Sequence, residues 1–178
     1  INTGAYIDLS TMAQLKANAD AFYEILTDLI TDTNADAILV NKNLRSKIQT
    51  VARILGYKTE TEEAFGRRVT SIDGVRIVDL KNVASVSDGS AVETPIIGTK
   101  SRQISSTSVT GLTDIYAVHF SVADGFHGVT LDGTKGIKSY LPDFSTPGAV
   151  KKGEVEMVAA TALKNVKSAG VLRNIKIA

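Results

Sequence analysis

Between Met12 and Leu29 the apolar residues Met12, Leu15, Ala19, Phe22, Leu26 and Leu29 recur at alternating spacings of three and four. That period puts them on one stripe of an α-helix, and a stripe of this length must be buried against another element. Ser10 or Thr11 can cap the helix, Thr11-Met12-Ala13-Gln14 fits a capping box, and the spacing predicts a helix running to about Thr31. Next, Asp36-Ala37-Ile38-Leu39-Val40-Asn41 reads as a short strand too apolar to face water. A second helix follows, with Leu44, Ile48, Val51 and Leu55 inward, Asn41 or Asn43 as its cap and Gly56 as its terminator. Helix, strand and helix in such quick succession point to an α/β layer rather than a helical bundle.

The outward faces of this block are charged. Lys16, Asp20, Glu24, Asp28 and Asp32 fall four residues apart in one row. Its four carboxylates oppose one another by roughly 0.2–0.5 kcal/mol per adjacent pair. The second helix and its flanks are basic, with Lys42, Arg45, Lys47, Arg53 and Lys58. Three readings of the acidic row compete: plain solvation, pairing within the chain, or pairing with the basic helix of an adjacent copy.

Beyond Gly56 the pattern changes. Residues 57–65 are polar and acidic and read as a surface loop. Residues 69–72 and 75–78, joined by Asp73-Gly74, read as paired strands. Residues 81–102 are rich in Ser, Gly, Asp and Thr and contain Pro95, which predicts a long loop, expected to be mobile in the isolated chain; it covers about 82–110 if the polar stretch 105–110 is included. The remainder is mostly strand: 114–122, 128–131, 137–141, 155–163 and 171–177, with turns at Asp124-Gly125, Asp132-Gly133 and Pro147-Gly148. Within 154–167 a helix is an open alternative, because Ala and Lys favour it.

The chain offers little material for catalysis. It has 178 residues, 43% of them hydrophobic and 22% charged, enough for one core. Without Cys it has no disulfide, thiolate metal site or cysteine nucleophile, and two His limit any imidazole site. A net charge of +1 gives no general attraction to nucleic acid or membrane. No apolar run approaches the ~18 residues of a membrane-spanning helix. His119, Ser121, Asp124 and His127 are the one window where a nucleophile, base and acid could meet, but no Gly-x-Ser-x-Gly elbow surrounds any serine. Gly133-Thr134-Lys135-Gly136 lacks the full phosphate-loop pattern, and Arg67-Arg68 and Lys151-Lys152 are too small for a nucleic-acid footprint. The expectation is a protein that is not an enzyme, with no cofactor and no metal.

The order of the elements resembles the major capsid proteins of tailed bacteriophages. The resemblance is carried by the amphipathic helix at 11–31, the phrase Ala35-Asp36-Ala37-Ile38-Leu39-Val40-Asn41 and the helix at 44–56 ending on Gly. Looser matches are Phe65-Gly66, Ile72-Asp73-Gly74-Val75-Arg76-Ile77-Val78, and Asp114-Ile115-Tyr116-Ala117-Val118 leading to Asp124-Gly125-Phe126-His127-Gly128. It implies an α+β fold with a sheet flanked by helices, the axial domain of a shell subunit, covering mainly residues 1–150. The C-terminal strands of a peripheral domain would occupy 151–178. The family's N-terminal arm, extended loop and spine helix have no counterpart here; with the missing initial Met, that suggests an N-terminally truncated or proteolysed subunit, monomeric when isolated.

The function so implied is a self-assembling subunit of an icosahedral phage or prophage capsid around double-stranded DNA. Copies would form capsomers, touch packaged DNA only non-specifically, and have scaffold and portal proteins as possible partners, with no membrane. The protein would reside in the virion, and in host cytoplasm during assembly. Asp20, Glu24, Asp28, Asp32, Arg45 and Arg53 are the candidate subunit-contact residues. A shell subunit of a related bacterial protein compartment and a non-catalytic binding module are the alternatives; five Tyr and five Phe, scattered along the chain, argue against the module.

Overall fold

The computed structural model describes residues 5–57, 60–64, 67–87, 90–130, 137–142, 148 and 151–178. Phe65-Gly66, Lys58, the Asp132-Gly133 turn, the stretch Gly133-Thr134-Lys135-Gly136 and Pro147 lie outside the described residues. The chain opens with a two-residue strand, β1 (Ile7–Asp8), followed by α1 (Met12–Ala17) and α2 (Ala19–Thr33). The single expected helix is thus two. Asn18 leaves the helical track with ψ near 6° and donates from Nδ2 to the Asp8 carbonyl at 2.8 Å, the local competition typical of an Asn side chain. The Thr11 hydroxyl caps α1, accepting from the Gln14 N–H at 3.2 Å. At the other end Asn34, at φ 47°, closes α2 in the left-handed conformation, and its N–H returns to carbonyls of the last turn.

β2 (Ala37–Val40) and α3 (Lys42–Ile54) fall where the apolar spacing places them. Asn41 is the cap, accepting from the Leu44 N–H at 2.8 Å, and Gly56, at φ 78°, is the terminator. Then come β3 (Glu60–Ala64), β4 (Arg67–Ile72) and β5 (Val75–Asp79). The expected surface loop at 57–65 therefore contains a strand. β3 is the outermost strand of the main sheet, and a run of Glu and Thr suits an edge that must not recruit another chain.

The expected long loop at 82–110 is replaced by β6 (Asn82–Ser87), β7 (Ser90–Pro95), β8 (Lys100–Ile104) and the start of β9 (Thr107–Val118). β6 and β7 pair from Asn82–Pro95 to Ser87–Ser90. Ser and Thr composition argued for disorder; the backbone ladder supplies the order instead. The tail comprises β10 (Phe126–Thr130), β11 (Ile137–Tyr140), β12 (Glu154–Met157), β13 (Ala159–Leu163), the 3₁₀ turn η1 (Val166–Ser168) and β14 (Ala169–Lys176). The alternative helix at 154–167 does not form.

The main sheet has the order β1-β14-β9-β2-β5-β4-β3, with β8 also on β9. β2 runs parallel to β5 and antiparallel to β9, and β14 lies between β1 and β9. The expected division at 151 is not a division of the hydrogen bonding: β14 belongs to the main sheet, and β12 and β13 pair with β11 and β10. Ile38, Ile77, Ile115, Ala117 and Leu172 share one sheet face in register, and with Leu15, Phe22, Leu26, Leu44, Ile48 and Val51 of the helices they form one buried core. All three helices thus cover that face. β6–β7, β10–β13 and β11–β12 are two-stranded ribbons outside it.

Candidate subunit-contact surfaces

Asp20, Glu24, Asp28 and Asp32 lie exposed along α2, and among the described residues none of them forms an ion pair. Their expected partners on α3 are mostly committed elsewhere. Arg45 donates from Nη2 to Thr70 Oγ1 at 3.2 Å, tying α3 to β4, and Lys47 donates to the Ser10 carbonyl at 2.8 Å. Pairing of row and basic helix within one chain is therefore not what the structure contains. Arg53 is exposed, with no ion-pair partner among the described residues. Where α3 begins, an open cleft of 880 Å³ separates it from the root of β6–β7. Lys42, Arg45 and Lys81 line it together with Asp79 and Glu93, so both signs of charge meet there.

The structure does bring His119, Ser121 and Asp124 together, but in an arrangement unlike a catalytic triad. Ser121 Oγ donates to Asp124 Oδ1 at 2.6 Å and accepts from the Ala123 and Asp124 N–H groups at 3.2 and 3.4 Å. The hydroxyl proton is directed at the carboxylate, while a nucleophile would direct it at the imidazole. The His119 ring stands between two acids, Nδ1 at 2.8 Å from Asp36 Oδ2 and Nε2 at 3.8 Å from Asp124 Oδ1. The first contact lacks the direction of a hydrogen bond and leaves the buried Nδ1 without a partner. Asp36 Oδ2 also accepts the Phe120 N–H at 2.8 Å, and His127 Nδ1 lies 3.2 Å from the Gly125 carbonyl.

This cluster joins the end of β9 to the start of β2 and to the root of the β10–β13 ribbon. The root is crowded: a Cβ on Gly125 would fall 2.5 Å from the Ser121 nitrogen and 2.6 Å from the His119 carbonyl oxygen. Ser168 Oγ donates to the Asp124 carbonyl at 2.8 Å, and the His119 N–H donates to the Ser168 carbonyl at 2.9 Å. The arrangement ties the root of the ribbon to the sheet. Among the described residues no group of three or more metal-ligating side chains converges.

A second polar node escaped the sequence reading. Arg102 on β8 grips Asp114 on β9 with both guanidinium arms, at 2.6 and 2.5 Å, and its Nη1 also donates to Asn174 Oδ1 at 2.9 Å. Asn174, at φ 64°, sits at the irregularity where β14 shifts register against β9. Burial raises the Asp114 pKa, but the hydrogen bonds and charge of Arg102, with the Asn174 N–H, outweigh it and hold the carboxyl below the usual range. The hydrogen bond to Asp114 raises the Arg102 pKa in turn, against burial. The node clamps three strands, on the sheet face that no helix of the described residues covers. A signal existed in Asp114 standing beside the apolar run Ile115-Tyr116-Ala117-Val118, but its partner on another strand cannot be read from one strand alone.

With this geometry in hand, comparison with known proteins identifies the fold. No protein-family model matches the chain, and no curated protein matches it. Among solved structures, the chain is similar to the holo-SrpI encapsulin complex from Synechococcus elongatus, seen by cryo-electron microscopy. The TM-score is 0.57 at 16% identity, over 89% of this chain and 49% of that one. The chain therefore has a capsid-like shell fold and spans about half the length of that shell protein.

Proposed function

We propose that the chain is part of a structural subunit of a self-assembling icosahedral shell, working through contacts between copies and without catalysis. The observation that carries this reading is the fold likeness to an encapsulin over 89% of the chain. The orientation of the Ser121 hydroxyl toward Asp124 supports the non-catalytic part. A shell closes by repeating weak interfaces through symmetry, so charged rims and exposed edges are the parts expected to matter. The α2 carboxylates and Arg53 are candidates for such rims; Arg45 serves its own chain.

Two settings suit such a subunit. In one, inferred from the sequence resemblance, it encloses double-stranded DNA in a phage or prophage capsid, with scaffold and portal partners, in the virion and earlier in host cytoplasm. In the other it forms a bacterial protein compartment; that setting is favoured by the similar solved structure being an encapsulin complex. Electron microscopy of the full-length gene product should show closed icosahedral particles. Terminase and portal genes beside it, with DNA in the particles, mark the first setting; a neighbouring cargo enzyme inside them marks the second. A product that stays a small oligomer under every assembly condition contradicts both.

A further inference from the structure

Among the described residues one buried side-chain nitrogen, Nδ1 of His119, has no hydrogen-bond partner. A buried polar group is costly to leave unsatisfied, so its setting calls for an explanation. Nδ1 lies 2.8 Å from Asp36 Oδ2, and the other nitrogen of the ring, Nε2, lies 3.8 Å from Asp124 Oδ1. A carboxylate oxygen thus stands off each nitrogen of one imidazole. The neutral ring carries a single N–H, so one nitrogen must turn a lone pair toward an acid, whereas the imidazolium donates from both. With a slight turn of the ring, a proton on Nδ1 converts the Asp36 contact into a charge-assisted hydrogen bond, stronger than a neutral one.

We propose that His119 is a pH-sensitive latch between the β10–β13 ribbon and the main sheet: the imidazolium draws Asp36 and Asp124 together, and loss of its proton loosens the root. The backbone puts the residue where a latch acts. The His119 carbonyl accepts the Phe126 N–H of β10 at 2.9 Å, and the His119 N–H donates to the Ser168 carbonyl of η1 at 2.9 Å. Asp36 lies just before β2, and Asp124 lies in the turn that leads into β10, so the two acids belong to the two parts being joined. The other titratable and charged groups on the elements packed here are Arg76, His127, Lys164 and Lys167. Arg76 on β5 donates its N–H to the Asp36 carbonyl at 3.3 Å. Lys164 donates from Nζ to the Val122 carbonyl at 2.6 Å, and His127 Nδ1 lies 3.2 Å from the Gly125 carbonyl. Among the described residues neither Arg76 nor a lysine forms an ion pair with Asp36 or Asp124, which leaves His119 as the group that can bring a positive charge to both.

The full chain, labelled with heavy nitrogen, supplies both readouts between about pH 8 and 5, the span in which imidazoles change charge. At the acid end the His119 ring signals should report both nitrogens protonated, and at the other end one. Over the same span the β10 and β13 amides, corrected for the intrinsic pH dependence of exchange, should gain about three- to fivefold in protection, the scale of a partly exposed ion pair. The α2 and β2 amides should hold steady. His119→Gln should abolish the gain, and His127→Gln should leave it intact. A wild-type ring that keeps one charge state throughout, ribbon protection equal at both ends, or a gain that survives His119→Gln overturns the proposal. The wild-type ring signals decide it by themselves where a variant fails to fold.

Discussion

In the main sheet Ile38 of β2 stands opposite Ile77 of β5, and both are almost fully buried; in the outer ribbon Ile137 of β11 stands opposite Met157 of β12, and both lie mostly in water. Both bring apolar side chains together across a strand pair, parallel in the first and antiparallel in the second, and what decides their burial is the next layer. α2 and α3 cover the first pair and nothing in the described chain covers the second. Strand pairing sets which residues share a face, and only a covering element turns that face into a core. The body obtains its cover from its own helices; among the described residues the ribbon has none.

The sharpest contrast comes from truncating one apolar side chain in each region. Phe22, fully buried on α2, should cost about 3–5 kcal/mol when changed to Ala, whereas Val155→Ala in the ribbon should stay within about 0.5 kcal/mol. Urea unfolding of the isolated chain measures both, and a ribbon cost comparable to the core cost would break the comparison.

Asp114→Ala leaves the partly buried Arg102 guanidinium without its carboxylate, with Asn174 as its remaining acceptor, and should cost about 2–3 kcal/mol. The same pair sets an acid dependence. A carboxyl held below its unfolded pKa stabilises the fold at neutral pH, and that stabilisation is lost as pH falls through the depressed folded value. Asp114→Asn should therefore melt lower than wild type at neutral pH, and the gap should narrow in strong acid.

A smaller effect is expected at the junction between the regions. Gly125→Ala forces a Cβ against backbone atoms of His119 and Ser121 and should cost about 1–3 kcal/mol. Faster amide exchange should spread through β10 and β13 while α2 and β2 keep their protection. The smallest effect lies on the body's surface. Tyr23 stacks on Tyr57 at 4.5 Å and donates to Asp73 Oδ2 at 2.8 Å. Burial first, then Asp73, raises its phenol pKa to about 12. Tyr23→Phe should cost below about 1 kcal/mol at neutral pH. The wild-type advantage should disappear as pH rises from 10, where the unfolded phenol ionises, through the folded value near 12.

The body was largely legible in the sequence because its periods are long and its boundaries capped. The stripe from Leu15 to Leu29, the run Ala37-Ile38-Leu39-Val40 and Gly56 each signal one conformation strongly. The break at Asn18 was not legible, since it depends on the Asp8 carbonyl lying within reach. β3 and β6–β7 were missed because their Glu-, Ser- and Thr-rich sequences carry no apolar alternation. The break between β12 and β13 at Val158 blurred the alternation that β12 keeps by itself. Of the contact residues, the α2 row was readable as a row. The destination of Arg45 was not, because Thr70, a neutral acceptor on another element, decides it. The one-sided ribbon becomes visible only once the register pairs Ile137 with Met157.

Hydrogen exchange on the full-length product, compared between dissociated subunits and assembled particles, tests the central claim most directly. The account predicts that the core amides of α2, β2 and β9 are protected in both states, while amides at exposed rims and edges gain protection on assembly. Exchange equal in the two states throughout the chain would contradict it.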